Sequence, residues 1–210
     1  MERLGARAAK PRIALAIGDP GGIGPELAAR MVADPEIREA VALTVVGDAR
    51  VLARGAANAG VELDLASEGS DRRPVLRDLG HLDPASIELG VAAEAGGRFA
   101  LANFRRCLEM AMRGEADAVC FTPFNKAAMR LADPAYDDEI SYVSRVLGVS
   151  VPASEFNVLD RLWNARVTSH VPLSKVAGLI TEANVLRGIR LTDASKRRLS
   201  ARPNRLRCIQ

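Results

Sequence analysis

An α/β fold with a largely parallel or mixed sheet is the class that this 210-residue sequence predicts. Two observations carry the prediction. Short apolar runs of strand length alternate with helical patterns along the whole chain. Three of those runs also lead straight into loops with chemically active or glycine-rich composition, the place where such sheets gather ligands. Hydrophobic residues make up 48% of the chain and aromatics only 4%, so the core is built from Ala, Val, Leu and Ile.

The elements follow in order. Arg12–Gly18 (RIALAIG) reads as a buried strand, and Gly18–Gly24 as a loop. Pro25 suits the first position of a helix over Glu26–Val32, where its missing N–H costs nothing. Leu43–Gly47 is a second strand, Val51–Ala59 a helix ending at Gly60, and Val61–Leu65 a further strand candidate. Residues 66–85 are polar and turn-rich, a loop or an extension of the sheet. Ala92–Arg113 has the longest helical pattern, with Phe99, Leu101, Phe104, Leu108 and Met112 near one face. Asp117–Phe121 is another buried strand, and Lys126 opens a helix. A helix over Tyr136–Leu147, strands at Glu155–Leu159 and Ala165–Ser169, and helices at Pro172–Ile180 and Glu182–Leu191 complete the pattern.

Charge and cysteine content narrow the function classes. The formal net charge is +3, but residues 196–210 hold six basic residues and no acids. Setting those six aside leaves 23 basic against 26 acidic residues, so a nucleic-acid partner would rest on the tail alone, without interleaved aromatics. Cys107, Cys120 and Cys208 form no CxxC pair and read as incidental thiols of a reducing compartment. Apolar runs such as Ile13–Ile17 are far too short to span a bilayer. Met1–Lys10 is basic but leads into Pro11 and Arg12 rather than an apolar signal core. The expectation is a cytoplasmic protein with neither membrane nor nucleic acid as a partner.

Three motifs carry chemistry. GDPGGIGPE, Gly18–Glu26, lets the backbone approach a ligand closely and places the positive end of a helix behind it. That makes it either a general anion site or a purely structural tight turn. It lacks the Gly-Lys-Ser/Thr of a Walker loop, and its glycines are wrongly spaced for a dinucleotide fingerprint. Thr122-Pro-Phe-Asn-Lys126 follows a buried strand. There Lys126 reads as a partner for phosphate or carboxylate, as a proton-transfer group, or as a solvated lysine opening a helix. Thr168-Ser-His-Val-Pro-Leu173 places His170 after an apolar run, with no second histidine nearby to complete a metal set. His81 lies in the turn-rich region and reads as structural. The run Asp137, Asp138, Glu139 at a helix start is explained by the helix dipole, with a substrate or metal role as the other reading.

Taken together, the three motifs resemble the 4-hydroxythreonine-4-phosphate dehydrogenase family, in order and separation, over nearly all of residues 11–195. The resemblance implies the fold of isocitrate and isopropylmalate dehydrogenases. It also implies NAD- or NADP-dependent oxidation of a phosphorylated 2- or 3-hydroxy acid like 4-hydroxythreonine 4-phosphate, often followed by decarboxylation, with a divalent metal (Zn, Mg, Co or Mn) and a homodimer. His170 matches the family's first metal-binding histidine, and Lys126 the lysine near the substrate, here the candidate catalytic residue. Thr122, Asn125, Asp137 and Asp138 become the candidate substrate contacts, and Asp19, Gly21, Gly22 and Gly24 the anion loop.

Two departures shape the expectations. Where the family has Gly-His-Thr-Glu, this chain has Tyr136-Asp137-Asp138-Glu139, so acids replace donors and a different hydroxy acid, one lacking the phosphate, stands beside the phosphorylated one as an expected substrate. The family's other metal histidines and most of its nucleotide site lie beyond the matched motifs. The expected organisation is a disordered extension over 1–10, an α/β dehydrogenase-like region over 11–195 that is the first part of a two-domain fold, and a basic, non-native tail over 196–210. A truncated chain of this kind is expected to expose apolar surface and to associate. The alternative function is a non-catalytic remnant that binds an anion or pairs with another subunit.

Overall fold

A computed structural model describes residues 9–66, 73–150, 153–159, 162–169 and 171–200. The chain divides after Leu147 into two compact units. The first holds β1 (Arg12–Ala16), α1 (Gly24–Ala33), α2 (Pro35–Ala40), β2 (Ala42–Gly47), α3 (Ala49–Ala59), β3 (Val75–Asp78), a 3-10 turn (Pro84–Ser86), α4 (Glu94–Met112), β4 (Ala118–Phe121), α5 (Lys126–Ala132) and α6 (Glu139–Leu147).

Its sheet is fully parallel in the order β3-β2-β1-β4. Ala16 lies opposite Val46 on one side and Phe121 on the other, which puts β1 in the centre. Central parallel strands are covered on both faces, and β1 shows it: Ala14 and Ala16 point to one core, Leu15 and Ile17 to the other. The first core is closed by Phe104, Cys107 and Leu108 of α4, with Met129, Tyr136 and Tyr142. The second is closed by Ala28, Ala29 and Val32 of α1 and by Val51, Leu52 and Ala56 of α3.

Two glycines set how closely helices approach. A Cβ at Gly55 would lie 2.3 Å from the Pro25 carbonyl oxygen, which fixes α3 against α1. A Cβ at Gly97 would lie 1.9 Å from the Ala128 oxygen, which fixes α4 against α5.

Several elements depart from the sequence expectation. Val61–Leu65 forms no named strand; Ala66 alone bridges to Val75, while Val61, Leu63 and Leu65 pack on the second core. The segment 66–85, read as a loop or a sheet extension, contains the edge strand β3. Helix α2 is a short six-residue helix capped by Asp34, whose carboxylate accepts from Glu36 N–H and Ile37 N–H. Helix α6 begins at Glu139 rather than Tyr136 because the Asp138 carboxylate accepts the Ser141 N–H at 2.7 Å. Met112, expected on the core face of α4, is 60% exposed, and Met110 is buried in its place.

The second unit holds the antiparallel pair β5 (Phe156–Leu159) and β6 (Leu162–Ala165), then α7 (Leu173–Leu179) and α8 (Glu182–Ser200). The second strand of the pair lies earlier than the Ala165–Ser169 expected, because Trp163 pairs with Val158 and packs its ring 5.6 Å from Phe156. Helix α8 runs past Leu191 to Ser200, so residues 196–200 are helical. Residues 1–8 and 201–210, which make up most of the two expected terminal segments, lie outside the described residues. Among the described residues no helix is long and apolar enough to cross a membrane.

Candidate active site

The strand order makes one crevice special. The chain leaves β1 for β2 on one side and later returns to pair β4 on the other, and ligands of open α/β sheets bind at the carboxyl ends where the order reverses. Both motif loops emerge there, 18–24 from β1 and 122–125 from β4.

The two loops are locked together. Gly18 donates its N–H to Thr122 Oγ1 at 2.8 Å, and Asp19 N–H donates to the Pro123 carbonyl at 2.9 Å. A Cβ at Gly18 would sit 2.3 Å from the carbonyl oxygens of both Thr122 and Pro123, so only glycine allows this crossing. A Cβ at Gly24 would meet Thr122 Oγ1 at 3.0 Å. Asp19 receives Gly21 N–H on Oδ1 at 3.0 Å and Asn125 Nδ2 on Oδ2 at 3.1 Å, while Asn125 Oδ1 accepts Ala128 N–H and caps α5. Thr122 is only 3% exposed. Of the expected contacts, Thr122, Asn125 and Asp19 are therefore present at the crevice with their polar atoms engaged in holding the loops.

The outer side of the glycine loop is tied as well. Gly21 accepts the Gly90 N–H at 2.8 Å, and Arg54 of α3 donates to the carbonyls of Pro20 and, at 2.8 Å, Pro84. With these carbonyls used by the scaffold, the loop leads into α1, whose cap Ile23 makes no side-chain capping bond.

Lys126 opens α5, where the helix dipole opposes a cation. Its ammonium is held by Glu139 Oε2 at 2.9 Å, and Glu139 opens α6, where a carboxylate is favoured. The Glu139 side chain is 18% exposed. Tyr136, 2% exposed, lies beside this pair; burial, and after it the Glu139 charge, push its phenol above the usual range. Asp138 caps α6, and Asp137 projects into solvent at 82% exposure with its backbone carbonyl accepting from Arg130 at 3.0 Å. Of the acidic run, Glu139 alone is thus seen to pair with Lys126, while the Asp137 carboxylate lies in solvent 3.9 Å from Arg130. His170 lies outside the described residues, and among those described no three His, Cys, Asp or Glu side chains come together to hold a metal ion.

Sequence reasoning missed three supporting groups. Asp48, fully buried at the end of β2, accepts from Arg50 Nε at 3.0 Å, Arg50 N–H at 3.0 Å and Leu82 N–H at 3.0 Å. The Arg50 guanidinium holds its carboxyl far below the usual range. An Asp directly after the strand VVG and before a helical run was the available signal. Asn103 of α4, also fully buried, donates to the Ile17 carbonyl at 2.9 Å and so fixes the residue before the glycine loop. Arg54 carried no local signal, because it acts on carbonyls 30 and 34 residues away. His81 stacks on Phe99 with ring centroids 4.8 Å apart, and burial lowers its pKa.

The profile of the family described as pyridoxal phosphate biosynthetic protein PdxA matches residues 39–208. A Rhizobium meliloti (strain 1021) protein, provisionally named 4-hydroxythreonine-4-phosphate dehydrogenase 2, is 51% identical over 90% of this chain and 57% of its own length. The crystal structure of 4-hydroxythreonine-4-phosphate dehydrogenase from Klebsiella pneumoniae superposes with a TM-score of 0.81 at 25% identity, over 92% of this chain and 60% of that one. A terephthalate 1,2-cis-dihydrodiol dehydrogenase from Burkholderia xenovorans LB400 superposes at 0.60 with 27% identity, over 86% and 55%. The chain therefore spans less than two thirds of the length of the relatives it matches.

Proposed function

The chain belongs to the PdxA family of pyridoxal phosphate biosynthetic proteins, and from that premise we propose that it forms the substrate-holding part of an NAD- or NADP-dependent oxidoreductase acting on the alcohol of a small hydroxy acid. The observation that carries the reading is the convergence of the two interlocked loops and the Lys126–Glu139 pair at the carboxyl ends of β1 and β4. Lys126 is the catalytic residue of this reading: its ammonium meets the phosphate or carboxylate of the substrate and fixes the carbinol next to it. With the N–H groups of Gly18, Asp19, Gly21 and Gly22 used within the loops, the start of α1 is what adds a positive dipole end for a second anionic group. A nicotinamide cofactor, when bound, would supply the hydride acceptor for that carbinol, with the hydroxyl proton passing to solvent. A divalent metal with His170 among its ligands is part of the proposal, but no step is routed through it, because the described residues supply no ligand set. Exposed Leu159, Leu162 and Leu173 support association with a second copy.

A carboxylate-bearing diol is the second substrate class. The similarity to a terephthalate 1,2-cis-dihydrodiol dehydrogenase, and Asp137-Asp138 where the family has His-Thr, favour it.

The test is NADH or NADPH formation, followed by absorbance, with 4-hydroxythreonine 4-phosphate and with a cyclic cis-diol carboxylate as substrates. Turnover of either, reduced about a hundredfold or more in Lys126→Ala, supports the reading. Absence of turnover together with retained anion binding in calorimetry would leave a non-catalytic anion-binding or subunit-pairing protein.

A further inference from the structure

The head of α6 contains a polar group that the reading above does not use. The Tyr136 hydroxyl is buried and makes no hydrogen bond among the described residues. Leaving a buried hydroxyl unpaired costs free energy, so a partner within reach is expected. Other polar groups around it are committed. Arg130 donates to the Asp137 carbonyl, and the Asp138 carboxylate caps α6. Glu139, three residues on, is near enough for its carboxylate to oppose ionisation of the phenol by its charge and as a hydrogen-bond acceptor, without yet meeting the hydroxyl in bonding geometry. At present that carboxylate is turned to Lys126.

We propose that Glu139 is a positioning residue with two alternative partners: it holds the Lys126 ammonium until an anionic group of the substrate takes it, and then accepts a hydrogen bond from Tyr136. The proposal rests on the reading that Lys126 meets substrate. Without a reserve donor, drawing Lys126 away would strand a largely buried carboxylate, and substrate binding would bear that cost. With Tyr136 poised beside it, rotation of one side chain satisfies both groups, and neither helix needs to move. The unpaired phenol is thus the price of a preformed exchange.

The chain has two tyrosines and one tryptophan, and the Tyr142 hydroxyl already donates to the Leu101 carbonyl, so tyrosine difference spectra report on Tyr136. Lys126→Met keeps the aliphatic stem and removes the competing cation. A red-shifted tyrosine band in folded K126M, absent from K126M/Y136F and from K126M/E139Q, is the expected result. An unchanged tyrosine spectrum in both K126M and Lys126→Gln, with native circular dichroism, overturns the exchange. Adding the hydroxy-acid substrate to the unmodified protein should give the same band. The band in K126M without one on adding substrate would support the exchange and count instead against Lys126 as a substrate contact. In steady-state kinetics Y136F should raise KM about tenfold with little change in kcat, and should have no further effect in the E139Q background. An equal effect of Y136F in both backgrounds would assign Tyr136 a packing role only.

Discussion

Asn125 and Asp19 face each other across the two loops of the crevice, with Nδ2 donating to Oδ2 at 3.1 Å. The same carboxamide caps α5 through Oδ1. Asn125→Ala removes both contacts and should lower stability by about 1–2 kcal/mol in denaturant unfolding. Asn125→Asp keeps the cap but sets two carboxylates against each other, so its deficit should shrink when the pH is lowered through the carboxylate range. A deficit that does not change with pH would mean that Asp19 is not the group it meets.

Thr122 supports the glycine loop, its Oγ1 accepting the Gly18 N–H at 2.8 Å. Thr122→Val leaves the buried Gly18 N–H without an acceptor and should cost about 1–3 kcal/mol of unfolding free energy. Thr122→Ser restores the acceptor and should recover most of it. Equal losses in the two variants would point to the methyl group instead.

Asp48 ties pH to stability. Its folded pKa lies below that of the unfolded chain, so the folded state releases its proton more readily and gains stability above the unfolded pKa, about 3.9. That gain is lost as pH falls below that point toward the folded pKa. Asp48→Asn should therefore be less stable than the unmodified protein at neutral pH, with the gap narrowing below about pH 4. Thermal midpoints measured from pH 7 to pH 3 decide this; a gap that widens on acidification would refute it.

Two glycines should respond in opposite directions. At Gly97 a methyl group would collide with the Ala128 carbonyl, so Gly97→Ala should destabilise by about 1–3 kcal/mol or more through forced separation of α4 and α5. At Gly188, inside α8, the new Cβ would meet only Val167 Cγ2 at 3.9 Å. Gly188→Ala should stabilise by about 0.5–1 kcal/mol, since alanine loses less freedom in a helix. Urea midpoints of the two variants provide the measurement.

The fold was legible wherever periodicity was strong. RIALAIG, LTVVG and DAVCF announced the three strands that carry the core, and the first and third lead into the loops whose composition marked the crevice. Strand β3 was harder to read because VLRD offers only two apolar residues and sits at the sheet edge, where partial burial relaxes the pattern. Helix α2 spans six residues, too few for a helical period to show. At the site, Lys126 was readable from its place after a strand. Its partner Glu139 lies 13 residues away on another helix, and the acidic run gave the dipole as a sufficient explanation. The engagement of Thr122 with Gly18 and of Asn125 with Asp19 depends on two loops 104 to 106 residues apart in sequence, and no local pattern encodes it.

The interlock at Gly18 has a consequence for how such a site diversifies. The residues that make the frame, Gly18, Thr122, Asn125 and Asp19, satisfy each other and leave no room for change. Asp137, exposed and held only through its backbone carbonyl and a 3.9 Å approach to Arg130, is free of that obligation. Selection for a new substrate could therefore act on Asp137 at little cost to folding. A glycine kept at position 18 would record packing rather than chemistry.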